Sequence, residues 1–260
     1  MTGGAPLRTL ALDVGNTSVA AALFAGPAAA GAPAATGHRV RGASEEAELD
    51  HWLRTARELA PDRAVVGSVH RFGAVLADAL RARLGAPVRL LDRGDEFPLR
   101  AEVEEPARVG VDRLAAALAA FTLAGGPARV VTAGTAITVD WVGEGPRFLG
   151  GAIVPGRSLQ ARALHLHTDR LPAIPPWGDR PLLRLPGRSS EEAIRHGLDV
   201  GIPGMVSALL ADLARAAAAA LPVFVGGGDA DWLAGRLEGP ARCERFLAAR
   251  GLALAAEQAS

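Results

Sequence analysis

The sequence predicts an α/β protein built from two related halves facing one cleft, and three observations carry that expectation. The stretch VVTAGTAITVDWV, residues 130–142, opens on two β-branched residues, makes a tight Gly134-Thr135 step and continues as an alternating run. In that run Ile137, Val139 and Trp141 share one side and Ala136, Thr138 and Asp140 the other, the two-residue period of a strand. Residues 9–24, TLALDVGNTSVAAALF, repeat the plan: apolar strand, Asp13-Val14-Gly15-Asn16-Thr17, apolar strand. Strand-like and helical runs also alternate from residue 44 to residue 91, the mark of an α/β chain. Either turn alone suits ordinary hairpin chemistry. Each also gathers hydroxyls and backbone N–H groups where a missing Cβ lets a phosphate come close, and two such turns suggest paired halves.

The elements follow in order. The first hairpin ends near Phe24, and the small-residue stretch 25–37 is expected to be an exposed connector before a strand at His38–Arg41. Ser44-Glu45-Glu46 is an N-cap signature for a helix to about Ala60, with Trp52, Leu53, Ala56 and Leu59 along one face. A buried strand over 64–69, a helix over 74–84 and a strand over 88–91 come next. Residues 92–108 are polar and irregular, and Val109-Gly110-Val111-Asp112-Arg113 opens a helix to about Ala124. Beyond the central hairpin, 148–158 forms a strand into a Gly-Pro turn with a helix through Leu171, and the proline-rich 172–187 is an ordered loop. Ser189-Ser190-Glu191-Glu192 caps a helical region from 190 to about 219 that Pro203 is placed to break. Pro222–Val225 is a strand running into Gly226-Gly227-Gly228-Asp229 and a further helix, a usual place for a nucleotide's sugar and base.

Composition narrows the chemistry. A chain of 260 residues, 49% hydrophobic and 22% charged, is one large or two small globular domains, neither disordered nor fibrous. A formal net charge of zero gives no support to a nucleic-acid or anionic-membrane partner. No apolar run approaches the ~20 residues of a membrane span, and no secretion segment opens the chain, so the expected compartment is the cytoplasm. Cys243 is the only cysteine, which forbids an intramolecular disulfide and argues against structural zinc; it is expected to pack in a helix. His165 and His167, two apart, point to different helix faces and make poor co-ligands. All 28 basic residues are arginine. Schiff-base chemistry, the Walker-A lysine and the kinase strand lysine are thereby excluded. A nucleotide here has to be cradled by backbone N–H groups, hydroxyls and a metal ion.

Two carboxylates stand out. Asp13, at a strand end beside a glycine turn, suits either an Asx turn or Mg²⁺ held through water. Asp112 suits either a first-turn acid that complements the helix dipole or a catalytic base that Gly110 leaves accessible. Arg113 beside it is placed to pair with a neighbouring acid.

Taken together, DVGNT at 13–17, GVDR at 110–113, AGTAITVD at 133–140, GGAIVPG at 150–156, GRSSEEAI at 187–194 and GGGDA at 226–230 resemble one family in order and spacing. It is the type III pantothenate kinases, in the actin-like, sugar-kinase and heat-shock ATPase superfamily, and the likeness runs over about residues 9–254. The resemblance implies two ribonuclease-H-like α/β domains, 1–108 and 109–260, with ATP in the cleft between them. It implies a homodimer, with pantothenate near the interface and phosphorylated on its 4′-hydroxyl. By the same likeness Asp13 serves Mg²⁺, while Gly15, Asn16, Thr17, Gly134 and Thr135 serve the phosphates, and Gly227 and Gly228 lie against adenosine. Gly110, Val111, Asp112 and Arg113 form the substrate segment, with Asp112 the catalytic base, and Ser190 stands where the family has a threonine touching pantothenate. Two positions depart. Thr132 replaces an aspartate that helps the family bind K⁺ or NH₄⁺, which implies a lost monovalent-cation site, and Val103 replaces a substrate-contacting tyrosine. Those departures leave two alternatives: a catalytically silent relative, or a kinase of the same superfamily acting on a sugar or a carboxylate.

Overall fold

Two sheets, each covered on both faces, position everything else in the computed structural model, which describes residues 5–42, 44–174, 186–217 and 219–258. The first sheet has the order β3-β2-β1-β4-β5. It is built from β1 (Arg8–Val14), β2 (Ser18–Ala25), β3 (Ala35–Val40), β4 (Arg63–Ser68) and β5 (Val88–Leu91). The β1–β2–β3 meander is antiparallel, while β4 and β5 run parallel to β1 across α1 (Glu45–Leu59) and α2 (Phe72–Arg83). The second sheet has the order β11-β10-β7-β8-β9-β6. Its strands are β6 (Arg100–Ala101), β7 (Ala128–Ala133), β8 (Ala136–Gly143), β9 (Arg147–Pro155), β10 (Val223–Gly226) and β11 (Arg242–Cys243). The helices of this half are α3 (Val111–Ala124), α4 (Arg157–Leu166), α5 (Ser190–Ala217), α6 (Ala230–Ala234) and α7 (Leu247–Glu257).

Strand alternation sorts the core into three parts. Leu10, Leu12 and Val14 of β1 pack outward with Trp52, Leu53 and Ala56 of α1 and with Phe72, Leu76 and Leu80 of α2. Val131, Ile137, Val139 and Val225 pack outward beneath α5 and α6, against Ile194, Leu198, Ile202, Val206 and Leu233. The opposite faces, Ala11 and Val65 of the first sheet and Val130, Val142 and Phe224 of the second, close on a middle layer made by α3 and α7. These two helices are rich in alanine and buried nearly all round, so they show no amphipathic stripe. Their backbones come so close that a Cβ on Gly251 of α7 would overlap the carbonyl of Ala115. α1 begins as its sequence demands, with Ser44 Oγ accepting from Ala47 N–H at 3.2 Å.

Several expectations need correction. The helix after the Gly-Pro turn stops at Leu166, short of Leu171: Thr168 Oγ1 donates back to Leu164 O and accepts from Leu171 N–H, replacing the helical bonds. Pro203 does not break α5, because the buried stripe Ile194, Leu198, Ile202, Val206 and Leu210 outweighs a proline cost of about 3 kcal/mol. α5 is also long and apolar enough for a membrane span, yet that stripe is a core face. Cys243 is on β11, an exposed two-residue strand, and not in a helix; Sγ donates to Asp231 Oδ1 at 3.1 Å. The 25–37 connector is tied down at Ala28, whose N–H donates to Glu257 and whose carbonyl accepts from the buried Arg250. Of the loop expected over 172–187, residues 175–185 lie outside the described residues.

Candidate active site

The same alternation that buries Ala11 and Val130 carries the next polar residues into one cleft. Asp13, two residues after Ala11 on β1, faces the middle layer, as do Thr132 on β7 and Thr138 on β8. The first hairpin contributes Asp13, Gly15, Asn16 and Thr17 to the lining, and the second contributes Thr132, Gly134 and Thr135. Asp112 enters from the first turn of α3, and Gly227 and Gly228 from the turn after β10. Ten of the residues singled out by sequence therefore share one cavity, although they come from four separate stretches of chain. The start of α7 (Phe246, Ala248, Ala249) closes it, so two helix N-termini supply partial positive charge to an anion there.

The hairpin tips meet. Gly15 N–H donates to Ser18 O at 2.9 Å and Gly134 N–H to Ala136 O at 3.0 Å, closing two tight turns. Across the cleft the hydroxyl oxygens of Thr17 and Thr135 are 2.5 Å apart in one hydrogen bond. The turn after β10 is locked onto the second hairpin's strand. Gly227 has φ +98°, a Cβ on it would overlap the Ala133 backbone, and Asp229 N–H donates to Ala133 O at 3.1 Å. Arg157 at the start of α4 pairs with Asp229 at 3.1 Å and lies over the Trp232 ring at 4.4 Å, fixing the same turn from the other side.

Electrostatics singles out the two acids. Burial, and then the neighbouring Asp112 charge, push the Asp13 carboxyl up to about 7. Burial also raises Asp112, against the pull of Arg113, whose backbone N–H donates to Asp112 Oδ1 at 2.9 Å. Two carboxylates whose ionisation burial makes costly, set between two hydroxyl-tipped turns, fit a divalent cation shared with a phosphate. Among the described residues no cluster of three or more His, Cys, Asp or Glu could hold a metal ion by itself. That donor set suits Mg²⁺ delivered with a polyphosphate rather than a caged metal. Thr132 brings no charge, and its buried Oγ1 has no hydrogen-bond partner among the described residues.

Four residues of the expected site lie outside the lining. Gly110 is the N-cap of α3, Val111 turns into the core at 3% exposure, and Arg113 pairs with the buried Asp140. Ser190 opens α5, exposed and away from the cleft. The structure adds residues that sequence reasoning passed over. His38 of β3 and Arg245 line the cleft, with Gly228 against the imidazole, and burial and Arg245 lower the His38 pKa. No motif marks either one. Asp140 was legible only as an acid in an alternating strand.

Comparison with known proteins agrees with this geometry. A family model described as type III pantothenate kinase matches residues 9–212. The type III pantothenate kinase of Halorhodospira halophila is 35% identical over 252 residues, covering 94% of this chain and 95% of that protein. That of Chromohalobacter salexigens is 37% identical over 168 residues, 64% of this chain, and that of Rhodopirellula baltica 39% over 153 residues, 58% of this chain. These two matches span 59% and 54% of the relatives' lengths, somewhat over half. Among solved structures, a Baf family transcriptional activator from Campylobacter jejuni superposes with a TM-score of 0.59 at 20% identity, covering 97% of this chain and 98% of the other. The activator of 2-hydroxyisocaproyl-CoA dehydratase from Clostridium difficile, solved with bound ADPNP, does so at 0.54 and 14% identity, covering 97% of each. At such identities the likeness bears on the fold, which is the two-domain actin-like ATPase class.

Proposed function

The chain belongs to the type III pantothenate kinase family, and from that premise we propose that it transfers the γ-phosphoryl group of ATP to the 4′-hydroxyl of pantothenate, opening coenzyme A synthesis. One observation carries the reading: Asp13 and Asp112 share a cleft whose walls are two hydroxyl-tipped hairpins and whose floor is two helix N-termini. Phosphoryl transfer asks a protein mainly for alignment and charge stabilisation, and for one group to accept the hydroxyl proton. In this reading Asn16, Thr17, Gly134 and Thr135 hold the phosphates, with Gly15 letting the backbone come close, and Gly227 and Gly228 lie against the adenosine. Asp112 accepts the proton of the attacking hydroxyl while the new O–P bond forms and ADP leaves with the old bridging oxygen. Asp13 would hold Mg²⁺ through water, and the ion would neutralise part of the phosphate charge. A phosphate oxygen accepting from both Thr17 and Thr135 needs their oxygens roughly 4–5 Å apart. The two hydroxyl oxygens, 2.5 Å apart, must therefore part to take a phosphate oxygen between them, by side-chain rotation or by separation of the hairpins.

The finer parts of the reading follow from the same family. The units 1–108 and 109–260 are taken as the two walls of the cleft, in a cytoplasmic enzyme. Two copies are taken to associate through the exposed side of α5, where Val200 is 55% exposed and Gly197, Gly201 and Gly204 present open backbone. Ser190 at the start of that helix then lies near pantothenate bound at the interface. Thr132, being neutral, neither attracts a monovalent cation nor creates the repulsion one would relieve, so K⁺ and NH₄⁺ are dispensable. The test is a coupled ATPase assay with Mg-ATP and pantothenate, sugars or acetate offered in parallel, with products identified by mass spectrometry. Phosphopantothenate alone supports the proposal. A sugar or acetyl product favours another kinase of the superfamily. No product, with or without added potassium or ammonium, favours the silent relative that Thr132 and Val103 would suit.

A further inference from the structure

We propose that Asp140 is a positioning residue of this site: it holds the Arg113 guanidinium off Asp112 and turned toward the anionic end of the acid being phosphorylated. The inference rests on the reaction proposed above. Asp140 is fully buried, at 0% exposure, and both its carboxylate oxygens accept from Arg113, with the Thr138 hydroxyl beside them. Arg113 Nε donates to Oδ2 at 3.2 Å and Nη2 donates to Oδ1 at 2.5 Å. The guanidinium also lies over the Phe148 ring, 5.2 Å from its centre, so its plane is fixed from two directions.

The local fold is built around this pair. Asp140 faces Gly151 across the β8–β9 ladder, and a Cβ at Gly151 would stand 2.7 Å from Asp140 Oδ1. The ladder slips between Asp140 and Val142, a bulge of the kind that re-aims a side chain. On β8 the alternation runs Ala136, Thr138, Asp140 along one face, and the first two line the cleft. Asp140 thus continues, just outside the lining, the strand face that Ala136 and Thr138 present to the cleft.

Two consequences follow from the charges. Arg113 is the chain neighbour of Asp112, and an arginine without a partner would close on that carboxylate and occupy the oxygen needed for a proton. With Asp140 in place, Asp112 takes a backbone N–H from Arg113 and none of that residue's side-chain donors. Among the described residues Nη1 of Arg113 has no hydrogen-bond partner, and the side chain keeps 15% exposure. A fork whose other two nitrogens are already anchored presents that donor at little entropic cost to a carboxylate ligand.

The experiment is a kinetic double-mutant cycle on the full chain: Asp140→Asn, Arg113→Gln and the pair together, with KM and kcat for pantothenate and KM for ATP. Asp140→Asn keeps the shape of the side chain and removes its charge. It should raise KM for pantothenate about tenfold or more, the scale expected when a positioned group drifts by about an ångström, and leave KM for ATP within about twofold. In the Arg113→Gln background the same change should add nothing, because the residue it positions is gone. A merely structural Asp140 would give equal losses in both backgrounds and would shift both KM values together. If Asp140→Asn is insoluble, Phe148→Leu removes the ring beneath the fork and should give the same Arg113-dependent rise. An active natural protein whose pantothenate KM survives Asp140→Asn, or survives Phe148→Leu where that variant replaces it, overturns this inference alone. A natural protein without pantothenate turnover overturns the reaction and this inference with it.

Discussion

Asp13 is the residue where stability and the proposed chemistry pull apart, and Asp13→Asn measures by how much. Burial first, and then the Asp112 charge, hold the folded carboxyl up at about 7, well above the usual carboxylate range. The folded state therefore binds the extra proton across roughly pH 4–7, and stability falls as pH rises through that window, flattening above it. At about 1.4 kcal/mol per pH unit the full penalty is about 4 kcal/mol. Asp13 keeps part of its surface in the cleft, so water trims this to about 2–3 kcal/mol. Asparagine has the same shape and no charge. Without nucleotide or metal, Asp13→Asn should therefore be more stable than the natural protein, with an advantage that grows by about 2 kcal/mol between pH 5 and pH 8. For a chain of this size that widens the Tm gap by about 4–8 °C. The assay is thermal melting of both proteins in chelator at the two pH values. Added Mg²⁺ with nucleotide should narrow the gap at pH 8 by stabilising the natural protein more than the variant. An advantage that is absent at pH 8, or that shrinks as pH rises, would refute the account of a penalised carboxylate.

Three further outcomes are expected. Asp112→Asn should lower kcat by ~10²–10⁴ while nucleotide binding, read by calorimetry, stays near normal; near-normal turnover would move the base role to Asp13. Turnover of the natural protein should be equal in sodium and potassium buffers of matched ionic strength, with potassium stimulation appearing only in Thr132→Asp; several-fold stimulation of the natural protein would sink this. Arg250→Met, which strips the Ala28 and Gly31 carbonyls of their buried donor, should cost about 2–3 kcal/mol in denaturant unfolding, and a change under 0.5 would contradict the anchoring of the connector.

Much of the site was legible because its chemistry is local. Asp13, Gly15 and Thr17, and likewise Gly134 and Thr135, sit within a few residues of each other on hairpins whose apolar strands announce themselves by alternation. The strands flanking α1 and α2 were legible for the same reason. What escaped depends on distant partners. Asp140 and Arg113 are 27 residues apart, and nothing in either neighbourhood names the other. α7 becomes a wall of the cleft only by packing on α3, and its alanine-rich run carries no stripe to show which face is buried. Cys243 was misassigned because a two-residue strand has no period to detect. Val111, in the expected substrate segment, follows the helix rule and turns its side chain into the core.

The place of α7 has a bearing on how the chain comes off the ribosome. The first sheet is complete at Leu91, yet one of its faces is covered by α7, beginning at Leu247, roughly 150 residues later. At ~10 residues per second the sheet waits roughly 15 s for that cover. Through that interval α3 is the one helix of the middle layer already made, and the part of the Ala11, Ala22, Phe24 and Val65 face that α7 covers stays open. Apolar sheet surface left open in this way is what makes a partly synthesised chain prone to aggregate, so the late helix sets how long that hazard lasts.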